Sequence, residues 1–301
     1  MLAEGIYSLY NTPPLSEDFS LQSNVQRIII FANGELPELD QARSLLQSDD
    51  YIICADGGTR HAMALGVRPS LVIGDLDSAD PEVLQKYSNE GVSVESYARD
   101  KNETDLELAI HRAVELNPKQ ILVMAALGGR LDQTLANIAL LTHPQLSTFD
   151  VRLDDGVEEI FFCRDQVQVH GRSGDLVSLI PWQGAASEVQ TKNLKWVLAR
   201  ETLFPDKTRG ISNEMIGDTA AISIDSGLLL VVHRRTPLVS PHLSHTSATN
   251  GRMEGAKKGL YEKNNSTSFH VFPSPRSLLS ESDGRSATYF HWSSTADSHD
   301  P

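Results

Sequence analysis

Five turns rich in glycine and aspartate fall between residues 55 and 133: Ala55-Asp56-Gly57-Gly58, Gly74-Asp75-Leu76-Asp77-Ser78, Asp100-Lys101-Asn102-Glu103-Thr104-Asp105, Gly128-Gly129-Arg130 and Leu131-Asp132-Gln133. Each lies where an apolar run gives way to a helical pattern, and in an open α/β sheet such turns line the edge where ligands bind. Asp75 and Asp77 are two residues apart. In extended backbone that spacing puts both carboxylates on one face, able to address one cation. Asp56 closes an apolar run, Asp105 opens a helix whose positive end favours an anion, and Asp100 precedes it in the loop. Carboxylates gathered at one edge repel each other without a cation among them. Mg²⁺, a hard ion that prefers oxygen ligands, fits that need and commonly accompanies a phosphorylated substrate. Gly128-Gly129 lets backbone amides approach a phosphate at a helix N-terminus, and Arg130 offers a planar fork of donors. The outline is phosphoryl transfer. Taken singly, each aspartate has a plainer role in turn formation or capping, and neither a P-loop nor a Gly-x-Gly-x-x-Gly fingerprint is present.

The elements that must position these residues follow from periodicity. Apolar runs at Arg27–Ala32, Tyr51–Ala55, Leu71–Gly74, Val92–Ser96 and Gln120–Ala126 read as strands. Helical patterns at Pro37–Gln47, Thr59–Leu65, Pro81–Ser88, Asp105–Leu116 and Leu131–Thr142 alternate with them. That alternation predicts an α/β domain over residues 25–150 with a doubly wound, mostly parallel sheet. Asp80-Pro81 marks one helix start, and Thr104 with Glu107 has capping-box spacing at another.

After Asp150 the rhythm changes to short β-like runs (Glu159–Cys163, Gln166–Val169, Leu176–Pro181, Ala186–Gln190, Leu194–Leu198, Ala220–Ser226 and Leu228–His233) punctuated by glycines. Residues 151–235 therefore read as a small all-β sandwich. In this region Trp196 reads first as a core anchor within an alternating strand, and Ser212-Asn213 as a turn. Residues 1–24 form a polar leader, and residues 236–301, rich in Ser, His, Thr, Pro and Asn, read as a disordered tail.

The chain carries 26 basic and 40 acidic side chains, a formal −14. Residues 236–301 hold six of each sign, so the whole excess belongs to residues 1–235. Such a field disfavours nucleic acid and anionic membranes, and an anionic ligand must be met by local cations. Cys54 and Cys163 are too few for a disulfide framework and read as buried free thiols. With no apolar run of membrane-spanning length and no signal-peptide pattern at the start, the cytoplasm is the expected compartment.

In order, Ala-Asp-Gly-Gly (55–58), Leu-Gly-Val-Arg-Pro-Ser-Leu-Val-Ile-Gly-Asp-Leu-Asp-Ser (65–78), Asp-Lys-Asn-Glu-Thr-Asp (100–105) and Leu-Gly-Gly-Arg-Leu-Asp-Gln-Thr-Leu-Ala-Asn (127–137) resemble the thiamine pyrophosphokinase family. Leu-Lys-Trp-Val-Leu (194–198) and Ser-Asn-Glu-Met (212–215) look like its β-domain motifs. The resemblance spans roughly Gln26 to Arg235. It implies transfer of the terminal diphosphate of ATP to the thiamine hydroxyl, with release of AMP. Asp75, Asp77 and Asp105 would be catalytic and, with Asp100, would hold Mg²⁺. Asp56, Gly57, Gly58, Thr104, Gly129, Arg130 and Asp132 would bind the nucleotide, and Lys101, Trp196, Ser212 and Asn213 would face thiamine. It also implies a homodimer with the active site at the subunit interface. The chain departs from the family at Asn102, where an aspartate is common, at Thr59-Arg60, and in its extra tail. Two other readings stand beside this one: a Mg²⁺-dependent diphosphotransferase or nucleotide hydrolase with a different acceptor, and a silent ATP- or thiamine-binding sensor.

Overall fold

The computed structural model describes residues 25–236. The polar leader and, beyond Thr236, the expected disordered tail lie outside the described residues.

Strands and helices alternate through the first half: β1 (Arg27–Phe31), α1 (Leu39–Ser44), β2 (Tyr51–Ala55), α2 (Thr59–Leu65), β3 (Leu71–Gly74), α3 (Pro81–Asn89), β4 (Ser93–Ser96), α4 (Asp105–Glu115), β5 (Gln120–Met124) and α5 (Leu131–Leu140). β1, β2, β3 and β5 are almost wholly apolar because both faces are covered, whereas the edge strand β4 reads Ser-Val-Glu-Ser and is half exposed. In β1, Ile28 and Ile30 pack with Leu106, Ala109 and Ala113 of α4, whereas Ile29 and Phe31 pack with Ala42 of α1 and Ala62 and Leu65 of α2. Helix starts follow their sequence signals. The Asp80 carboxylate accepts from the Glu82 amide at 2.9 Å, with Pro81 in the first turn, and the Thr104 hydroxyl accepts from the Glu107 amide at 3.2 Å.

The parallel strands run in the order β5-β1-β2-β3-β4. The chain steps outward from β1 to β4 and then returns to the far side of β1 as β5. The carboxyl ends of β1 and β5 therefore diverge, and a crevice opens between them.

The β-rich half comprises β6 (Asp150–Asp154), β7 (Glu158–Cys163), β8 (Gln166–His170), β9 (Leu176–Pro181), β10 (Ala186–Lys192), β11 (Ala199–Leu203), β12 (Asn213–Glu214), β13 (Thr219–Ser223) and β14 (Leu229–Arg234). β6 pairs parallel to β5, and β7 turns back antiparallel on β6, so one ten-stranded sheet runs through both halves in the order β12-β9-β14-β7-β6-β5-β1-β2-β3-β4. A second, four-stranded sheet, β11-β10-β13-β8, covers its antiparallel end. Phe161, Val177, Leu179, Val189, Ile222 and Val231 fill the core between the two sheets. The expected sandwich is present, and its inner sheet is an extension of the α/β sheet.

Leu194–Leu198 is not a strand; the strand follows it, at Ala199–Leu203. Leu194 and Leu198 are each buried, and Asn193 has a positive φ of 58° that turns the chain. The alternation thus marks a loop pinned at both ends. Between the pins Trp196 is 51% exposed, so it is not the core anchor that its place in the pattern suggested. Cys54 and Cys163 are buried and free, as expected.

Candidate active site

The turn after β3 carries Asp75 and Asp77, the turn after β2 carries Asp56, and α4 opens on Asp105. Carboxylate oxygens of Asp56, Asp75 and Asp77 all lie within 4.8 Å of one another. The backbone that brings them together is strained. Asp56 (φ 46°) and Leu76 (φ 60°) adopt left-handed conformations rare outside glycine. Gly74, at φ 144°, sits where an added Cβ would lie 2.9 Å from Oδ1 of Asp105 and 3.2 Å from Cβ of Asp56. Its missing side chain is what lets those aspartates converge.

Backbone amides then orient the carboxylates. Asp75 N–H donates to Asp105 Oδ1 at 3.2 Å, Asp77 N–H to Asp75 Oδ1 at 3.2 Å and Ser78 N–H to Asp56 Oδ1 at 3.1 Å. Lys101 Nζ lies 2.9 Å from Asp105 and 3.7 Å from Asp75, and Arg99 lies 3.3 Å from Asp77. The donors are all hard oxygens, which suits a divalent ion such as Mg²⁺. Of the four residues expected to hold metal, Asp75 and Asp77 are in the three-carboxylate group and Asp105 adjoins it. Asp56 completes the group, and Asp100 stays on the exposed loop.

Beside these carboxylates, the crevice between the ends of β1 and β5 forms a cleft of about 530 Å³. Asp56, Thr104, Asp105, Gly129 and Arg130 line it, as do Asn33, Glu35, Arg60, Gln133 and Asn137. Gly128 and Gly129 have positive φ, and their turn packs against Glu35, whose carboxylate would lie 3.0 Å from a Cβ at Gly128. Arg130 is 72% exposed and donates through Nε to Asp132 at 3.1 Å. That bond lowers the carboxyl pKa of Asp132 and raises that of the guanidinium. Asp132 therefore aims Arg130 and does not itself line the cleft. Gly57 and Gly58 do not line it either. A Cβ at Gly58 would lie 2.0 Å from the Phe31 carbonyl and one at Gly57 2.3 Å from Asn33 Oδ1, so both glycines serve close packing against the end of β1.

Asn33, Glu35 and Arg60 were missed as site residues. Arg60 donates to the carbonyls of Asn33 (2.9 Å) and Gly34 (2.7 Å) and to the Asn33 side chain. Asn33 Nδ2 in turn reaches Asp56 at 3.5 Å. The signal was available: Asn33-Gly34 follows β1 just as the other turns follow their strands.

In the β-rich half, Asn213 is buried and grips the backbone of Trp196. Its Oδ1 accepts from Trp196 N–H at 3.0 Å and its Nδ2 donates to the Trp196 carbonyl at 2.6 Å. Ser212, at φ 56°, is exposed, and its N–H donates to Ser178 Oγ at 2.9 Å. Lys195 Nζ lies 5.0 Å from the Trp196 ring centroid. The β-rich half thus presents an exposed indole held in place through its main chain.

The sequence models "Thiamin pyrophosphokinase, catalytic domain" and "Thiamin pyrophosphokinase, vitamin B1 binding domain" match residues 42–153 and 165–229. The chain belongs to the thiamin pyrophosphokinase family. The thiamine pyrophosphokinase of Bacillus subtilis is 28% identical over 182 residues, covering 60% of this chain and 85% of the relative. Thiamine pyrophosphokinase 1 of Oryza sativa subsp. japonica is 25% identical over 247 residues, covering 74% and 91%. The crystal structure of the Bacillus subtilis thiamine pyrophosphokinase superposes with a TM-score of 0.64 at 25% identity, over 70% of this chain and all of that one. The catalytic-domain match contains Asp56, Asp75, Asp77 and Asp105, and the vitamin B1 match contains Trp196, Ser212 and Asn213. Asn33 and Glu35 precede the first match.

Proposed function

We infer that this thiamin pyrophosphokinase family member makes thiamine diphosphate from thiamine and ATP, releasing AMP. The observation that carries the reading is a carboxylate group at the mouth of the switch-point cleft, in a chain whose β-rich half matches the vitamin B1 binding domain.

The nucleotide takes the cleft. Gly128 and Gly129 bring backbone close to its phosphates, and Arg130, aimed by Asp132, supplies a planar pair of donors. Asp75, Asp77 and Asp56, with Asp105 beside them, would hold Mg²⁺, which would neutralise phosphate oxygens when bound. The thiamine hydroxyl oxygen forms a bond to the β-phosphorus, the bond from that phosphorus to the oxygen bridging to the α-phosphate breaks, and AMP leaves. The hydroxyl proton departs toward the acidic edge, where Asp77 and Asp105 are the candidate acceptors. Trp196 supplies an aromatic face for the cationic thiazolium, and Asn213 positions it.

The family reading also gives a homodimer, in which thiamine lies where the α/β half of one protomer meets the β-rich half of its partner. Exposed Val197, Ile211 and Ile216 near Trp196 suit such a contact. Among the described residues no helix is long and apolar enough to cross a membrane. The acidic net charge disfavours nucleic acid and suits an enzyme acting on small molecules, for which the cytoplasm is the expected compartment. Incubation with ATP and Mg²⁺ tests the reading: AMP should accumulate only when thiamine is present. ADP release, or AMP release independent of thiamine, would contradict it.

A further inference from the structure

Lys101 occupies an unusual place for a lysine. Its side chain is only 13% exposed, and its ammonium sits 2.9 Å from Asp105 and 3.7 Å from Asp75. Asp56, Asp75, Asp77 and Asp105 bring four negative charges to this edge. Against them, among the described residues, stand Lys101 and the exposed Arg99, and Lys101 reaches two of the four carboxylates. An ammonium and a divalent ion compete for the same carboxylates, because two cations close together repel strongly where water is partly excluded. Lysine is suited to moving between two places: a compact charge on a flexible four-carbon stem, here in the loop that precedes α4.

We propose that Lys101 is a tethered counter-ion: it balances Asp75 and Asp105 when no divalent ion is bound, and yields them when one binds. Displaced, its ammonium remains at the rim of the cleft lined by Thr104 and Asp105, where an anionic diphosphate is the natural partner. The proposal rests on the metal and nucleotide placement given above. It makes Lys101 a positioning residue for the carboxylates first, and sets how tightly the nucleotide-free protein holds a divalent ion.

The test is Mn²⁺ binding to the nucleotide-free full chain, by titration calorimetry, with melting followed with and without the ion. Lys101→Gln should bind Mn²⁺ about threefold to tenfold more tightly than wild type, since a competing, largely covered charge is removed. Its metal-free melting temperature should fall, and saturating Mn²⁺ should erase that deficit. Lys101→Arg, which keeps the cation, should stay near wild type. A fixed structural ion pair predicts the opposite pattern, a melting deficit that persists at saturating Mn²⁺ with no gain in affinity, and that result would overturn the proposal. So would the absence of Mn²⁺ binding in both proteins, whereas thiamine turnover is read separately. Should Lys101→Gln not fold, amine labelling of the wild type decides. Acylation at Lys101, read by peptide mass, should quicken when Mn²⁺ is added, and unchanged or slower labelling overturns the exchange.

Discussion

At the scale of single residues, function divides between groups that face ligand and groups that hold them. Trp196 is exposed, and what fixes it is Asn213, buried and hydrogen-bonded to its main chain on both sides. Asn213→Ala removes both bonds, at about 1 kcal/mol each. The KM for thiamine should rise about tenfold while the KM for ATP holds. Steady-state kinetics with each substrate varied would check this, and equal changes in both constants would contradict it. The carboxylates were legible in the sequence because Asp56, Asp75, Asp77 and Asp105 all fall in strand-to-helix turns along one sheet edge, although each alone could serve a turn or a cap. Asn213 was legible as a site residue but not as a clamp, since its partner is a backbone 17 positions away that no local pattern marks. Arg60 escaped for the same reason, since it acts on Asn33 across 27 positions, whereas Asn33-Gly34 carried the same strand-end turn signal as the other site turns.

At the scale of elements, the parallel half was readable because its central strands are buried on both faces and two of its helices open on side-chain caps, Asp80 and Thr104. The β-rich half was harder. Its loop at Leu194–Leu198 imitates strand alternation, and β6 reads as a strand only once β5 lies beside it. A buried ionic network holds the far end of this half together. His233 on β14 is fully buried between Glu159 on β7, at 3.2 Å from Nδ1, and Asp175 before β9, at 3.2 Å from Nε2. Burial would raise the Glu159 pKa, but bonds from His233 and Arg152 and the charge of Arg235 outweigh it and hold it down to about 2. The folded value lies below the unfolded one, so this stabilisation is complete above about pH 4.5. It fades as pH falls toward 2, and is worth about 3 kcal/mol in full. Glu159→Gln should lower the melting temperature at pH 7 and make stability less steep between pH 4.5 and 2. Thermal melts across that range decide it, with an unchanged slope as the contrary result.

At the scale of the whole molecule, one continuous sheet joins the half that holds the switch-point cleft to the β-rich half, so neither half has an independent edge at their junction. The described chain ends in contacts that matter: Arg235 pairs with Asp154 through two bonds of 2.7 Å, and Thr236 N–H donates to Asp175 at 2.8 Å. A chain ending at Thr236 should melt within a degree or two of full length. One ending at Arg234 should lose about 5–10 °C, because it strands Asp154 and part of Asp175 without partners. Differential scanning fluorimetry of the two truncations would separate them, and equal melting would show that these contacts contribute nothing. The most direct test of the central claim is one incubation of purified protein with ATP, Mg²⁺ and thiamine, with mass-resolved quantification of products, run beside Asp75→Asn. AMP and thiamine diphosphate should appear in equal amounts from the wild type, with a loss of roughly 10³-fold or more in the variant, whose fold should be intact. ATP consumed without thiamine diphosphate, or an Asp75→Asn variant that turns over normally, would contradict the claim.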